Sequence, residues 1–173
     1  MTEQFPVLYI LARTDLPSMN AGKLAAQASH ASNAFINEVI NMETDLTDDQ
    51  YHTDPRVDMI DEQVKLARKW QAETPQAFGT VLVLAVTEDQ MRAAVQVAQA
   101  VGLIADTVND PTYPYIISTE AANLIPESTD TAPRIPKGDQ TVMFRSEDTV
   151  AFIGGDKNDP LLTAIVGNFP LHP

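Results

Sequence analysis

The chain contains no cysteine. That removes disulfides, thiolate metal sites and cysteine nucleophiles together, and it fits a reducing compartment. Positive charge is scarce: 11 lysines and arginines stand against 24 acids, a formal net charge of −13. A field of that sign repels nucleic acid and anionic membrane over most of the surface, so a polyanionic partner has to dock locally. Long hydrophobic runs are missing as well. The first apolar stretch covers only residues 7–12 and follows the acidic Glu3, so neither a secretory signal nor a membrane span is read, and a cytoplasmic location without a membrane partner is expected. Three catalytic signatures are also absent. No GxSxG elbow of a serine hydrolase occurs. Gly22-Lys23 lacks the earlier glycine and the following serine or threonine of a phosphate loop, with Pro17 and Leu24 in those places. His30, His52 and His172 lie without metal-ligand spacing, so no dedicated metal site is expected.

What is present suits one domain of 173 residues, long enough to bury a core unaided. Residues 7–12 read as a strand, broken by Pro17, Ser18 and Asn20 before a helical pattern in which Leu24, Ala28, Ala31, Phe35 and Val39 form one apolar stripe. An acidic loop is expected at residues 41–54, then a helix opened by Asp54-Pro55 with Val57, Ile60, Val64 and Ala67 inward. The continuous apolar run at residues 81–86 predicts a central strand covered on both faces. Thr87 and Gln90 form a capping box for a helix that stops at Gly102. Residues 103–108 are the next strand, parallel to the one before by its helical crossover, ended by a turn at Asn109-Asp110-Pro111. A Pro-rich insertion covers residues 118–140, with residues 141–145 a short flanking piece. Residues 149–153 make the last strand, closed by Gly154-Gly155, and Asp159-Pro160 opens a helix ending at Gly167. The expected fold is α/β, a single domain with a mixed, mostly parallel sheet of about four strands and helices on both faces. Between residues 38 and 62 nine acids face only Arg56. That run is either a solvated face or a docking surface for a basic protein.

Chemistry gathers on the first helix. Lys23, Gln27 and His30 stand at i, i+4 and i+7, a second stripe beside the apolar one. They are expected on one exposed rim, with Leu24, Ala31 and Phe35 buried. Lys23 falls in the first turn, where free backbone N–H groups and the helix dipole favour an anion or a developing oxyanion. Arg13, at the end of the preceding strand, would add a second positive charge, and Asp15 would orient Arg13 or Lys23 through a charge-assisted hydrogen bond.

These residues carry a family likeness. Arg13-Thr14-Asp15-Leu16, Met19, Gly22-Lys23, Ala25-Ala26-Gln27 and Ser29-His30-Ala31 resemble the signature of type 2 peptidyl-tRNA hydrolases. The likeness continues more weakly through residues 81–102, Asp110 and residues 149–155. Departures are local. Two residues, Pro17 and Ser18, separate the leucine and methionine where the family has one, and Ala21 replaces its first lysine. After Asp110 the family's Asp-Ala-Gly-x-Thr-Gln becomes Asp-Pro-Thr-Tyr-Pro-Tyr, with Pro114 in the threonine's place and Thr112 the nearest substitute. The resemblance implies hydrolysis of the ester of peptidyl-tRNA without a cofactor. It assigns Lys23 to the oxyanion or a phosphate, Asp110 to water positioning, and Gln27 with His30 to substrate hydrogen bonding, His30 being the alternative general base. Arg13, Asp15 and Thr112 complete the substrate-binding set. Asp110 is expected within reach of the Lys23 end of the helix, outside the carboxyl ends of the strands. Two other functions stay open, a non-catalytic binding protein on the same fold and an adaptor for a basic partner at residues 38–62. Peptidyl-tRNA is the expected partner, with a second copy of the chain as a further candidate.

Overall fold

A computed structural model describes residues 3–47, 56–125 and 134–173. Its elements run β1 (Pro6–Arg13), α1 (Ala21–Leu46), α2 (Val57–Gln71), β2 (Val81–Val86), α3 (Glu88–Ala100), β3 (Ile104–Ser118), α4 (Thr119–Leu124), β4 (Ile135–Lys137), β5 (Gln140–Asp156) and α5 (Pro160–Val166). One α/β sheet in the order β2-β1-β5-β3, with β4 on β5, carries helices on both faces.

The sheet is mixed but its neighbours are mostly antiparallel. Among the described residues only β1 and β2 pair in parallel; β1 with β5, β3 with β5 and β4 with β5 are antiparallel. The helical crossover does leave β2 and β3 pointing the same way. What the order of elements in the sequence does not reveal is that β5, arriving last, runs opposite to them and inserts between β1 and β3. The run at residues 81–86 is therefore an edge strand and not a central one, with Val81 exposed. The chain's own tail covers that edge: Ala85 N–H donates to Pro170 O at 2.9 Å and His172 N–H to Val83 O at 2.9 Å. Such covering removes a template for edge-to-edge association.

Alternation along β1 divides the core. Val7, Tyr9 and Leu11 face α3 and α5, with Met91, Val95, Leu162 and Val166; Leu8, Ile10 and Ala12 face α1 and α2, with Phe35, Val39, Val64 and Trp70. All eight residues of β1 are buried, the pattern of a strand with no solvent side. Asn20 caps α1 by accepting from Lys23 N–H at 3.0 Å, and the Thr87–Gln90 capping box is formed at α3. Gly102, at φ +84°, ends that helix in the left-handed region where a side chain is strained.

Three boundaries depart from the sequence reading. First, α1 continues to Leu46, so the beginning of the expected 41–54 loop is helical, while residues 48–54 lie outside the described residues, as does the expected Asp54-Pro55 helix start. Second, β3 does not turn at Asn109-Asp110-Pro111 but runs to Ser118, with register shifts between Val108 and Asn109 and between Asp110 and Tyr113. A bulge absorbs turn-forming residues and a proline because its extra residues need no ladder hydrogen bond. Third, β5 starts at Gln140 and passes through Gly154-Gly155 to Asp156. Since β1 pairs only with the last part of β5, from Val150 onward, the rest of β3 and β5 projects past Arg13 as a ribbon. The described part of the 118–140 segment, α4 and β4, sits at its tip.

Gly154 lets this sheet approach α1. A Cβ added there would lie 2.5 Å from Phe35 Cε2, and Phe35 is held edge-on by Trp70 and Phe152, with ring centroids 5.5 and 5.8 Å away. Gly154→Ala should therefore cost about 1–3 kcal/mol through overpacking, read as a lower denaturant midpoint; an unchanged midpoint would mean that the helix can give way.

Candidate functional site

The bulge in β3 and the first three turns of α1 meet where the ribbon leaves the sheet. Asp110 sits at the bulge and its Oδ2 accepts from Gln27 Nε2 at 2.8 Å. Gln27 Oε1 in turn accepts from the Thr149 hydroxyl at 2.6 Å. With both ends of the amide engaged, the carboxamide has one orientation and Asp110 is held in one place. The other carboxylate oxygen, Oδ1, accepts from Thr112 N–H at 2.9 Å, an Asx-type turn. Gln27 is 4% exposed and Thr149 0%. The expectation of an exposed Lys23–Gln27–His30 rim is thus corrected: Gln27 lies under β3, Lys23 is half-buried and only His30 is exposed. Ala31 and Phe35 are buried as expected, while Leu24 is partly so.

Lys23 points at the same bulge. Its Nζ lies 5.0 Å from the centre of the Tyr113 ring and 3.4 Å from Pro114 O. Burial lowers its pKa from the ordinary lysine value, and the attraction of Asp110 works against that shift. Tyr113 is 0% exposed, and its hydroxyl makes no hydrogen bond with a described residue; Ser18 lies near it but gives its own hydrogen to Pro114 O. Burial raises the Tyr113 pKa, with the neighbouring Ser18 hydroxyl and Arg13 acting in the opposite direction. His30 makes no hydrogen bond or ion pair with any described residue.

Arg13 behaves differently from the reading of a second free positive charge. It is 5% exposed and three carboxylates surround it: Asp15 at 2.9 Å, Glu88 at 2.9 Å and Glu147 at 3.2 Å, with Asp148 O at 3.0 Å as a further acceptor. Its guanidinium fork ties together the end of β1, the start of α3 and the base of the ribbon. Asp15 does orient Arg13, and it also accepts from Glu88 N–H at 3.2 Å. Burial alone would raise the Asp15 carboxyl, but the hydrogen bond and charge of Arg13 and the Glu88 N–H hold it below the usual carboxylate range. Lys157 cannot extend a positive groove from here. It follows β5 beside Phe5, at the opposite end of the sheet.

The family model for peptidyl-tRNA hydrolase PTH2 matches residues 6–129, more than two thirds of the chain. The chain belongs to the peptidyl-tRNA hydrolase PTH2 family. Among curated proteins no sequence match is found. The PTH2 match contains Lys23, Gln27, His30, Asp110 and Thr112, and all but His30 converge on the bulge. Beyond the matched residues lie Thr149, which orients Gln27, and Glu147, which holds Arg13. Neither was singled out from sequence. The likeness over residues 149–155 pointed at the segment, but nothing in it marks a threonine at the start of an apolar strand as a donor to a helix 122 residues earlier.

Thr149→Val keeps the shape and removes the donor. Gln27 Oε1 is then buried without its partner, so the protein should lose about 1–3 kcal/mol of stability. Chemical denaturation would read it, and a variant as stable as the parent would mean that Gln27 finds another donor.

Proposed function

We propose that this PTH2 member hydrolyses the ester joining a peptide to the 3' ribose of tRNA. Lys23 and Asp110 carry the chemistry. A water oxygen attacks the ester carbonyl carbon, the bond to the ribose oxygen breaks, and the ribose leaves as a hydroxyl bearing one of the water's protons. Asp110 orients that water: Gln27 and Thr112 occupy part of its acceptor capacity and leave lone pairs for a water hydrogen. Lys23 stabilises the oxyanion, at a place where partial burial strengthens its charge on a nearby anion. His30, exposed on the same helix, contacts substrate. Arg13 and Asp15 act by holding β1, α3 and the ribbon in register, since the Arg13 charge is already taken by carboxylates.

The observation that supports this reading most directly is the Gln27–Asp110 hydrogen bond. It joins two parts of the family-matched span, 83 residues apart in sequence, so that Lys23 and a carboxylate share one site. The test is release of free tRNA from N-blocked aminoacyl-tRNA by the purified protein. Activity should fall on the alkaline side as Lys23 loses its proton, and because its pKa is lowered, that limb should begin below the ordinary lysine value of about 10.4. A limb at or above that value would remove Lys23 from stabilising the oxyanion.

One feature favours a second reading, a tRNA-binding protein that lacks hydrolysis. Pro114 stands where the family has threonine, and its carbonyl together with the Tyr113 ring engages Lys23. Retention of tRNA with no product in the same assay would select that reading.

A further inference from the structure

Cations among the described residues differ in what holds them, Lys69 and Arg134 reaching backbone carbonyl oxygens. Arg13, Lys65, Arg68 and Arg92 each have a carboxylate partner. Lys23 and Arg145 are held by aromatic rings instead. Arg145 Cζ lies 5.5 Å from the centre of the Tyr115 ring, Lys23 Nζ lies 5.0 Å from that of Tyr113, and the two tyrosines meet edge to face at 5.5 Å. Arg145 is also the cross-strand partner of Tyr113. The four side chains make a ladder, cation on ring, ring on ring, ring on cation, along the base of the ribbon.

The difference matters for charge. A carboxylate partner cancels a cation's field a short distance away, whereas a ring attracts it through its quadrupole and carries no net charge. Glu147, the acid beside Tyr115, is already ion-paired with Arg13. In a chain of net charge −13, the ladder therefore presents Arg145 as a cation with a ring and no carboxylate for a partner among the described residues, linked through the two tyrosines to Lys23, whose charge faces Asp110 in the candidate catalytic site. Arg145 is exposed and makes no ion pair among the described residues. It lies beyond the span matched to the family.

We propose that Arg145, carried on Tyr115, binds the phosphodiester backbone of single-stranded RNA that leads into the Lys23 site. Arginine suits the task through its planar fork of donors, and phosphate contacts of this kind fix register on the nucleic acid without reading sequence. That the RNA is the 3' end of tRNA rests on the hydrolase reading, but binding can be measured without hydrolysis.

The probe is a deacylated RNA hairpin ending in a single-stranded CCA, followed by fluorescence anisotropy over a range of salt. Wild type should bind, and Arg145→Ala should bind more weakly by roughly tenfold or more, the loss of one charged hydrogen-bonding contact. Its slope of log affinity against log salt should also fall by about 0.7, the value for one single-strand phosphate. Arg145→Lys should restore the slope. Tyr115→Leu should weaken binding while circular dichroism stays unchanged, and Lys157→Ala, at the far end of the sheet, should bind as wild type does. Equal affinity and slope in Arg145→Ala and wild type would overturn the proposal, as would a wild type that binds no RNA. The two readings fail separately. A wild type that binds the hairpin but releases nothing from N-blocked aminoacyl-tRNA loses the hydrolase and keeps the phosphate contact. Hydrolysis with an unaltered KM and salt slope in Arg145→Ala does the reverse.

Discussion

Lys23→Ala should lower kcat/KM on N-blocked aminoacyl-tRNA by about 10²–10³, the 2.7–4 kcal/mol expected when one oxyanion donor is removed. The fold should survive. Lys23 is half-buried, and its described contacts are a ring face and one carbonyl oxygen at 3.4 Å, together worth on the order of 1 kcal/mol. Single-turnover rates with circular dichroism on the same samples separate the two quantities. A fall in kcat with KM unchanged would place Lys23 on the transition state, and a rise in KM alone would move it to phosphate binding. Equal rates in the folded variant and the parent would remove it from the reaction.

Arg13→Ala should act on stability instead. The substitution leaves Asp15, Glu88 and Glu147 converging on an empty space with no cation between them, and breaking a buried charge set by deleting one partner costs about 3–5 kcal/mol. The lower end is expected, because Asp15 and Glu88 are partly open to water and can rehydrate. The same cluster fixes the acid response. The folded-state pKa of Asp15 is lowered, so its contribution is present above its unfolded value, about 3.9, and is lost as pH falls through the folded one. In Arg13→Ala that lowering disappears, and the variant's stability should change less below about pH 4. Denaturant midpoints at neutral pH and in acid would test both statements; a variant as stable as the parent would make the cluster incidental.

Local signals in the sequence were reliable where the physics is local. The Thr87–Gln90 box, Asn20 before α1, Gly102 after α3 and Asp159-Pro160 before α5 all depend on residues within one helical turn, and each does in the structure what its type suggests. Spacing also put Lys23 and Gln27 on one side of α1. It did not reveal that β3 would lie over Gln27, because that covering comes from a bulge 83 residues away. Arg13 was misread for a similar reason. A lone arginine at a strand end resembles a free cation until Glu88 and Glu147 arrive from distant segments. The turn expected at Asn109-Asp110-Pro111 shows the converse, since local turn chemistry was overridden by pairing with β5. The nine acids of residues 38–62 are likewise not all free: Glu43 pairs with Arg68, and Asp61 and Glu62 pair with Lys65.

The insertion of β5 between β1 and β3 has a consequence for synthesis. One flank of β1 pairs with β2, but its other flank pairs with residues as late as Asp156, so the most buried strand waits, half-zipped, until almost all of the described chain has been made. At roughly 5–20 residues per second on a ribosome, that interval is on the order of ten seconds, during which a strand apolar up to Arg13 keeps one open edge. Arg13, with Asp15 and Glu88 already to hand but Glu147 still to come, places a charge at the end of that edge for the whole of the wait.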